Sequence, residues 1–114
     1  MSFRPLEVSV DSAPGAVTVR IAGDVTADSI DRMRQGIAMA ISQKQPKLIL
    51  DLSQTSFLSS PGLAVLVQTL QLTARGGGKL ILAAPNDRVR GIFEISRLTD
   101  VFTIAPTYED ALAR

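Results

Sequence analysis

Two short apolar runs set the tightest limit on how this chain can fold. Leu48-Ile49-Leu50-Asp51-Leu52 and Leu80-Ile81-Leu82-Ala83 are nearly continuous rather than alternating. That is the pattern of strands covered on both faces, and such strands belong to sheets whose neighbours run parallel. Parallel neighbours need a long crossover, usually a helix. The chain supplies one between the runs: from Pro61 to Ala74, the residues Leu63, Val65, Leu66, Val67, Leu70 and Leu72 are apolar over much of a helical circumference. This predicts a helix packed between other elements. Pro46 precedes the first run and Gly76-Gly77-Gly78 the second, which predicts a turn before each strand and a C-cap for the helix.

The flanking segments complete the pattern. Leu6, Val8 and Val10 alternate with polar residues, Pro14-Gly15 marks a turn, and Val17, Val19 and Ile21 alternate again up to a break at Gly23-Asp24. These read as an antiparallel hairpin. From Thr26 the period becomes helical, with Ile30, Met33, Ile37 and Ile41 on one stripe and Thr26 or Asp28 as the cap. Asn86 is placed to cap a third helix carrying Val89, Ile92 and Phe93. Val101, Phe102 and Ile104 predict a last strand, and residues 107–112 a terminal helix. The expected fold is α/β: a mixed sheet, mostly parallel with an antiparallel edge strand, packed with about four helices. One domain is expected to span residues 1–114. The core is predicted from Val19, Ile21, Ile37, Ile49, Leu50, Leu63, Leu66, Ile81 and Phe93, the apolar phase of each element.

Composition excludes several kinds of chemistry. The chain has no His and no Cys, which removes Ser-His-Asp hydrolysis, thiol nucleophiles, His or Cys zinc sites and disulfides. The acidic residues do not fall at calcium-loop spacing, so no metal or cofactor is expected, and a lone hydroxyl would lack a base to activate it. With 12 Lys+Arg against 11 Asp+Glu the net charge is +1, and no like-charged block provides the footprint of a nucleic-acid binder. Residues 1–10 contain no apolar stretch of signal-peptide length, and nothing approaches the roughly 18 apolar residues of a membrane span. The expectation is a cytoplasmic, non-enzymatic protein that binds another protein, with neither nucleic acid nor membrane as partner.

The stretch from Lys47 to Leu66 carries most of the remaining information: a buried strand, a polar loop, a hydroxyl-rich turn and an apolar helix. It resembles the signature of STAS domains, in which a strand ending in Asp-Leu-Ser is followed by an aromatic, an aliphatic, Asp-Ser, a second Ser or Thr, and Gly-Leu. Ala22-Gly23-Asp24-Val25 resembles the family's turn after its second strand, and Gly77-Gly78-Lys79-Leu80 its entry to the next buried strand. Residues 89–98 are similar to its amphipathic helix with a buried Phe. The resemblance implies a STAS-like fold and an anti-sigma factor antagonist. Such a protein binds an anti-sigma factor of the serine kinase type and is switched when that partner phosphorylates the Ser after the motif Asp.

Carried onto Phe57-Leu58-Ser59-Ser60-Pro61-Gly62-Leu63, the resemblance makes Ser60 the acceptor, with Ser59 as the alternative. Ser59 stands where the motif has Asp, and Pro61 where it has a second hydroxyl residue. The implied partner surface comprises Asp24, Thr26, Ser59, Ser60, Pro61 and Gly62. Read from the residues alone, Ser60-Pro61 is an N-cap followed by the first helical residue, and Asp24 either contacts a partner or solvates a loop. Asp51 at a strand end resembles a receiver phosphoacceptor, but no acidic pair follows the first strand. Gly76-Gly77-Gly78 sits in helix-to-strand order, the reverse of a phosphate-binding loop. A second class of function is a structural subunit that assembles with other STAS proteins and is never phosphorylated. A third, nucleotide binding or hydrolysis, has no phosphate loop to support it.

Overall fold

A computed structural model describes residues 4–114. The elements run β1 (Glu7–Ala13), β2 (Ala16–Val25), α1 (Ile30–Ser42), β3 (Lys47–Asp51), β4 (Thr55–Leu58), α2 (Ser60–Arg75), β5 (Lys79–Ala83), α3 (Asp87–Ile95), β6 (Thr103–Ala105) and α4 (Tyr108–Ala113). The sheet order is β1-β2-β3-β5-β6, with β4 added beside β2. β1 is an antiparallel edge strand; the remaining pairs are parallel. The continuous run at 48–52 thus lies at the middle of the sheet, between β2 and β5. None of the helices in the described residues is long and apolar enough to cross a membrane.

Alternation along the strands divides the core into two layers. Val17, Val19 and Ile21 of β2 join Leu48, Leu50, Leu80 and Leu82 on one face, where Met33 and Ile37 of α1, Val65 and Leu66 of α2, and Val89 and Phe93 of α3 close over them. Ile49, Ile81, Ala83 and Ala105 point to the other face, which Ala111 and Tyr108 of α4 cover. On that second face Arg20 donates to Asp51 at 3.0 Å and to Asp11 at 3.2 Å, and its guanidinium lies 5.5 Å from the Tyr108 ring centroid. The Tyr108 hydroxyl meets Thr18 Oγ1 at 2.9 Å, and Lys47 Nζ donates to the Ala111 and Leu112 carbonyls at the end of α4.

Five details differ from the sequence reading. β2 does not break at Gly23-Asp24: it shifts register there and continues to Val25. Residues 55–58, read as loop, form β4. α1 begins at Ile30, not Thr26, and neither Thr26 nor Asp28 caps it. Instead Ser29 Oγ accepts the Thr26 amide at 2.9 Å and donates to the Asp24 carbonyl at 3.1 Å, so residues 26–29 are a turn closed by their own hydrogen bonds. α2 packs on one side only, leaving Ala64, Gln68 and Leu72 exposed and Leu63 half-buried, outside the core proper. Val101 and Phe102 precede the last strand; Phe102 is buried against Phe93, with ring centroids 5.7 Å apart. The other predicted core residues are buried as expected.

Candidate functional site

β4 assembles the site. It runs parallel to the end of β2, pairing Asp24 with Phe57 and Val25 with Leu58, and the Ser59 amide donates to the Val25 carbonyl at 2.9 Å. Two adjacent strands therefore end together, and the chain leaves them through Thr26 on one side and Ser59 on the other. Residues more than 30 apart in sequence thus meet at the C-terminal edge of a parallel sheet, where α/β proteins usually place their sites.

The strand also sets where α2 begins. Ser59 still has extended backbone, with φ −75° and ψ 167°, and its Oγ accepts the Gly62 amide at 3.2 Å. Ser59 is therefore the N-cap, Ser60 the first helical residue and Pro61 the second, one place later than Ser60-Pro61 read alone suggests. Because the backbone of Ser59 is held in line with β4 by Val25, the helix cannot be capped further along. Ser serves at an N-cap about as well as Asp, so Ser59 closes the helix at the position where the resemblance has Asp, without that residue's charge. Ser60 is left exposed, with no hydrogen-bond partner for its hydroxyl among the described residues.

The six residues of the implied surface fall into two groups. Thr26 and Ser59 are half-buried, while Ser60 and Pro61 are exposed. Asp24 and Gly62 lie beneath them. Asp24 is only 8% exposed; its carboxylate accepts the Arg4 amide at 2.8 Å, and its own amide donates to the Arg4 carbonyl at 3.2 Å. The Arg4 guanidinium in turn donates to Ser56 Oγ. This strap crosses the end of β2 so closely that a Cβ at Gly23, where φ is +113°, would lie 2.2 Å from the Pro5 carbonyl oxygen. A Cβ at Gly62 would lie 2.7 Å from Val25 Cγ1 and 2.8 Å from Leu58 Cδ1. Gly62 thus lets the first turn of α2 press against both strand ends.

Sequence reasoning missed Thr55. Fully buried, its Oγ1 donates to the Ile21 carbonyl at 2.6 Å, and its carbonyl accepts Asn86 Nδ2 at 2.9 Å. Asn86 Oδ1 meanwhile caps α3 through the Val89 amide at 2.9 Å. Only the strand-forming character of Thr55 and Phe57 in the sequence signals any of this. Asp51, the receiver-like candidate, is buried with both oxygens engaged, one by Arg20 and one by the Ser53 amide at 3.0 Å. The hydrogen bond that Arg20 donates to Asp51 is the main reason the Arg20 pKa is raised above its already high value. Among the described residues no three acidic side chains converge as a metal would require.

The STAS domain family model matches residues 7–111. An anti-sigma-B factor antagonist of Bacillus subtilis is 27% identical over 104 residues, covering 91% of this chain and 94% of that protein. The crystal structure of an anti-sigma factor antagonist from Mycobacterium paratuberculosis superposes with a TM-score of 0.87 at 26% identity, covering 96% of this chain and 92% of that one. The Bacillus protein SpoIIAA shares the fold at 24% identity and a TM-score of 0.80 in its unphosphorylated form, covering 95% of each chain. Its phosphorylated form has a TM-score of 0.73, at 23% identity over 95% of this chain and 98% of that one.

Proposed function

The chain belongs to the STAS domain family, and from that premise we propose that it is an anti-sigma factor antagonist: a cytoplasmic, non-enzymatic protein that binds an anti-sigma factor of the serine kinase type and so frees a sigma factor for transcription. The observation that carries this reading is the exposed hydroxyl of Ser60 on the first residue of α2, beside the end of β2. Thr26, Ser59, Ser60 and Pro61 form the contact surface, while Asp24 and Gly62 support it from below. Phosphorylation of Ser60 would set about −1.5 to −2 charges in the middle of that surface. A partner fitted to a neutral hydroxyl would then meet a bulky, strongly hydrated anion, and disturbing a central contact commonly costs about 2 kcal/mol or more.

The replacement of the motif Asp by Ser59 favours a second reading, a STAS subunit of a larger scaffold that is never phosphorylated, because the cap is kept while the charge beside the acceptor is lost. Capture of partners from cell extract, followed by titration of wild type, Ser60→Ala and Ser60→Asp, tests both. The antagonist reading expects one kinase-fold partner, full affinity for Ser60→Ala and at least tenfold weaker binding for Ser60→Asp. Equal affinity for all three removes Ser60 as the switch, and recovery of other STAS proteins alone supports the scaffold. Weakening by Ser59→Asp only would move the switch one residue upstream.

A further inference from the structure

At the opposite edge of the sheet, where the parallel strands begin, α1 and α2 end and the core between them is left open. The opening is a cavity of about 590 Å³ floored by Val17, Ala40 and Leu48 and walled by Ile41 and Leu72. Its size is that of small-molecule pockets, about 300–1,000 Å³. A smaller hollow of about 180 Å³ continues it between the two helices and shares Ile41 and Leu72 with it. Gly76-Gly77-Gly78 form one rim and have no side chains to fill it. Leu72 is 49% exposed and contributes to both hollows.

The charged side chains are of one sign. Lys44 and Lys79, both exposed, line the larger hollow and Arg34 the smaller; no Asp or Glu lines either. Among the described residues none of the three pairs with a carboxylate. An apolar trough bordered by unpaired cations complements a molecule with an apolar chain and one anionic head. We infer that this groove binds a free single-chain carboxylate, an alkanoate of medium length, with the chain along Ile41 and Leu72 and the head between Lys44 and Lys79. No residue of the groove belongs to the Ser59–Gly62 turn.

The test is calorimetric titration of the full chain with decanoate below its micellar concentration, beside decanol and anionic phospholipid vesicles. Saturable one-to-one binding of decanoate is expected, weakened at least tenfold for decanol and in a Lys44→Glu/Lys79→Glu double variant that keeps the wild-type melting temperature. Leu72→Gln, which leaves the charges in place, should also weaken it. Ser60→Asp should bind decanoate like wild type, so this result is independent of whether Ser60 is a switch. No saturable binding, equal binding of decanol, or binding to vesicles without binding of the free acid would each overturn the assignment.

Discussion

Ser59 Oγ accepts the Gly62 amide at 3.2 Å, while the hydroxyl of the adjacent Ser60 has no partner among the described residues. Two neighbouring serines thus divide the work of the α2 N-terminus: one closes the helix, the other faces solvent. Ser59→Ala should lower stability by about 1 kcal/mol, within the roughly 0.5–2 kcal/mol range of lost caps. Ser60→Ala should stay within about 0.5 kcal/mol of wild type, as exposed sites do, and Ser59→Asp should keep the cap. Urea denaturation of the three variants decides it; an equal loss for both alanine variants would mean the cap has been misplaced.

Gly23 permits the strap formed by Arg4 and Pro5. A methyl group there would meet the Pro5 carbonyl oxygen at 2.2 Å, on backbone whose φ of +113° already disfavours an L side chain. Either the strap lifts or β2 loses its last residues. Gly23→Ala should cost at least about 2 kcal/mol, combining backbone strain with overpacking. Gly62→Ala meets side chains instead of backbone, and although the buried Val25 is stiff at χ1, the end of Leu58 can shift, so it should cost less, roughly 1–2 kcal/mol. Thermal melts of both variants give the comparison, and the reverse order would contradict the packing described.

The parts of this fold legible in the sequence are those written in hydrophobic period. Ile49 and Leu50, adjacent and both fully buried, announce a strand with cover on two faces, and Asn86 announces its own helix. β4 was illegible because a four-residue strand contains too little pattern, and its hydrogen bonds go to β2, some 30 residues away. Without β4 nothing in the chain distinguishes Ser59 from Ser60 as the cap, since Pro is tolerated throughout the first turn. Asp24 was ambiguous for a related reason: its partner is a backbone amide, that of Arg4, which no residue pattern encodes. Leu66, by contrast, is fully buried where the helical period placed it. Leu66→Ala should therefore cost about 2–5 kcal/mol by urea denaturation.

Arg20 keeps the nearly buried Asp51 paired across β2 and β3 and lies over the Tyr108 ring of α4. Its side chain is 45% exposed, so the roughly 3–5 kcal/mol typical of breaking a buried pair has to be reduced for solvent. Arg20→Met should cost about 1–3 kcal/mol. The raised pKa fixes the sign of the pH dependence: a cation held above its unfolded value contributes fully below that value and loses the contribution only as pH rises through the folded one. Both lie at the alkaline extreme, so protonation of Arg20 should add no slope to stability between about pH 6 and 9. Denaturant midpoints measured across that window would reveal any slope removed by Arg20→Met.

The amides available to an anion at Ser60 are few. Ser59 Oγ already takes the Gly62 amide, the Ser59 carbonyl takes that of Leu63 at 2.9 Å, and Pro61 has none, which leaves only the amide of Ser60 itself. An acidic group in the first turn of a helix usually contributes about 0.3–1 kcal/mol; here Ser60→Asp should fall at or below the lower end, and the melting temperature should stay within a few degrees of wild type. Replacing Pro61 restores an N–H beside the anion. In a Pro61→Ala background, Ser60→Asp should therefore stabilise by about 0.5 kcal/mol more than it does alone, a coupling that a double-mutant cycle in urea can resolve. Zero coupling would show that solvent screens the charge from the helix, and a gain above about 1 kcal/mol from Ser60→Asp alone would show that Pro61 does not limit it. Under the predicted coupling, charge at Ser60 scarcely alters the fold, and under the proposed function its effect falls on the partner that docks on the turn.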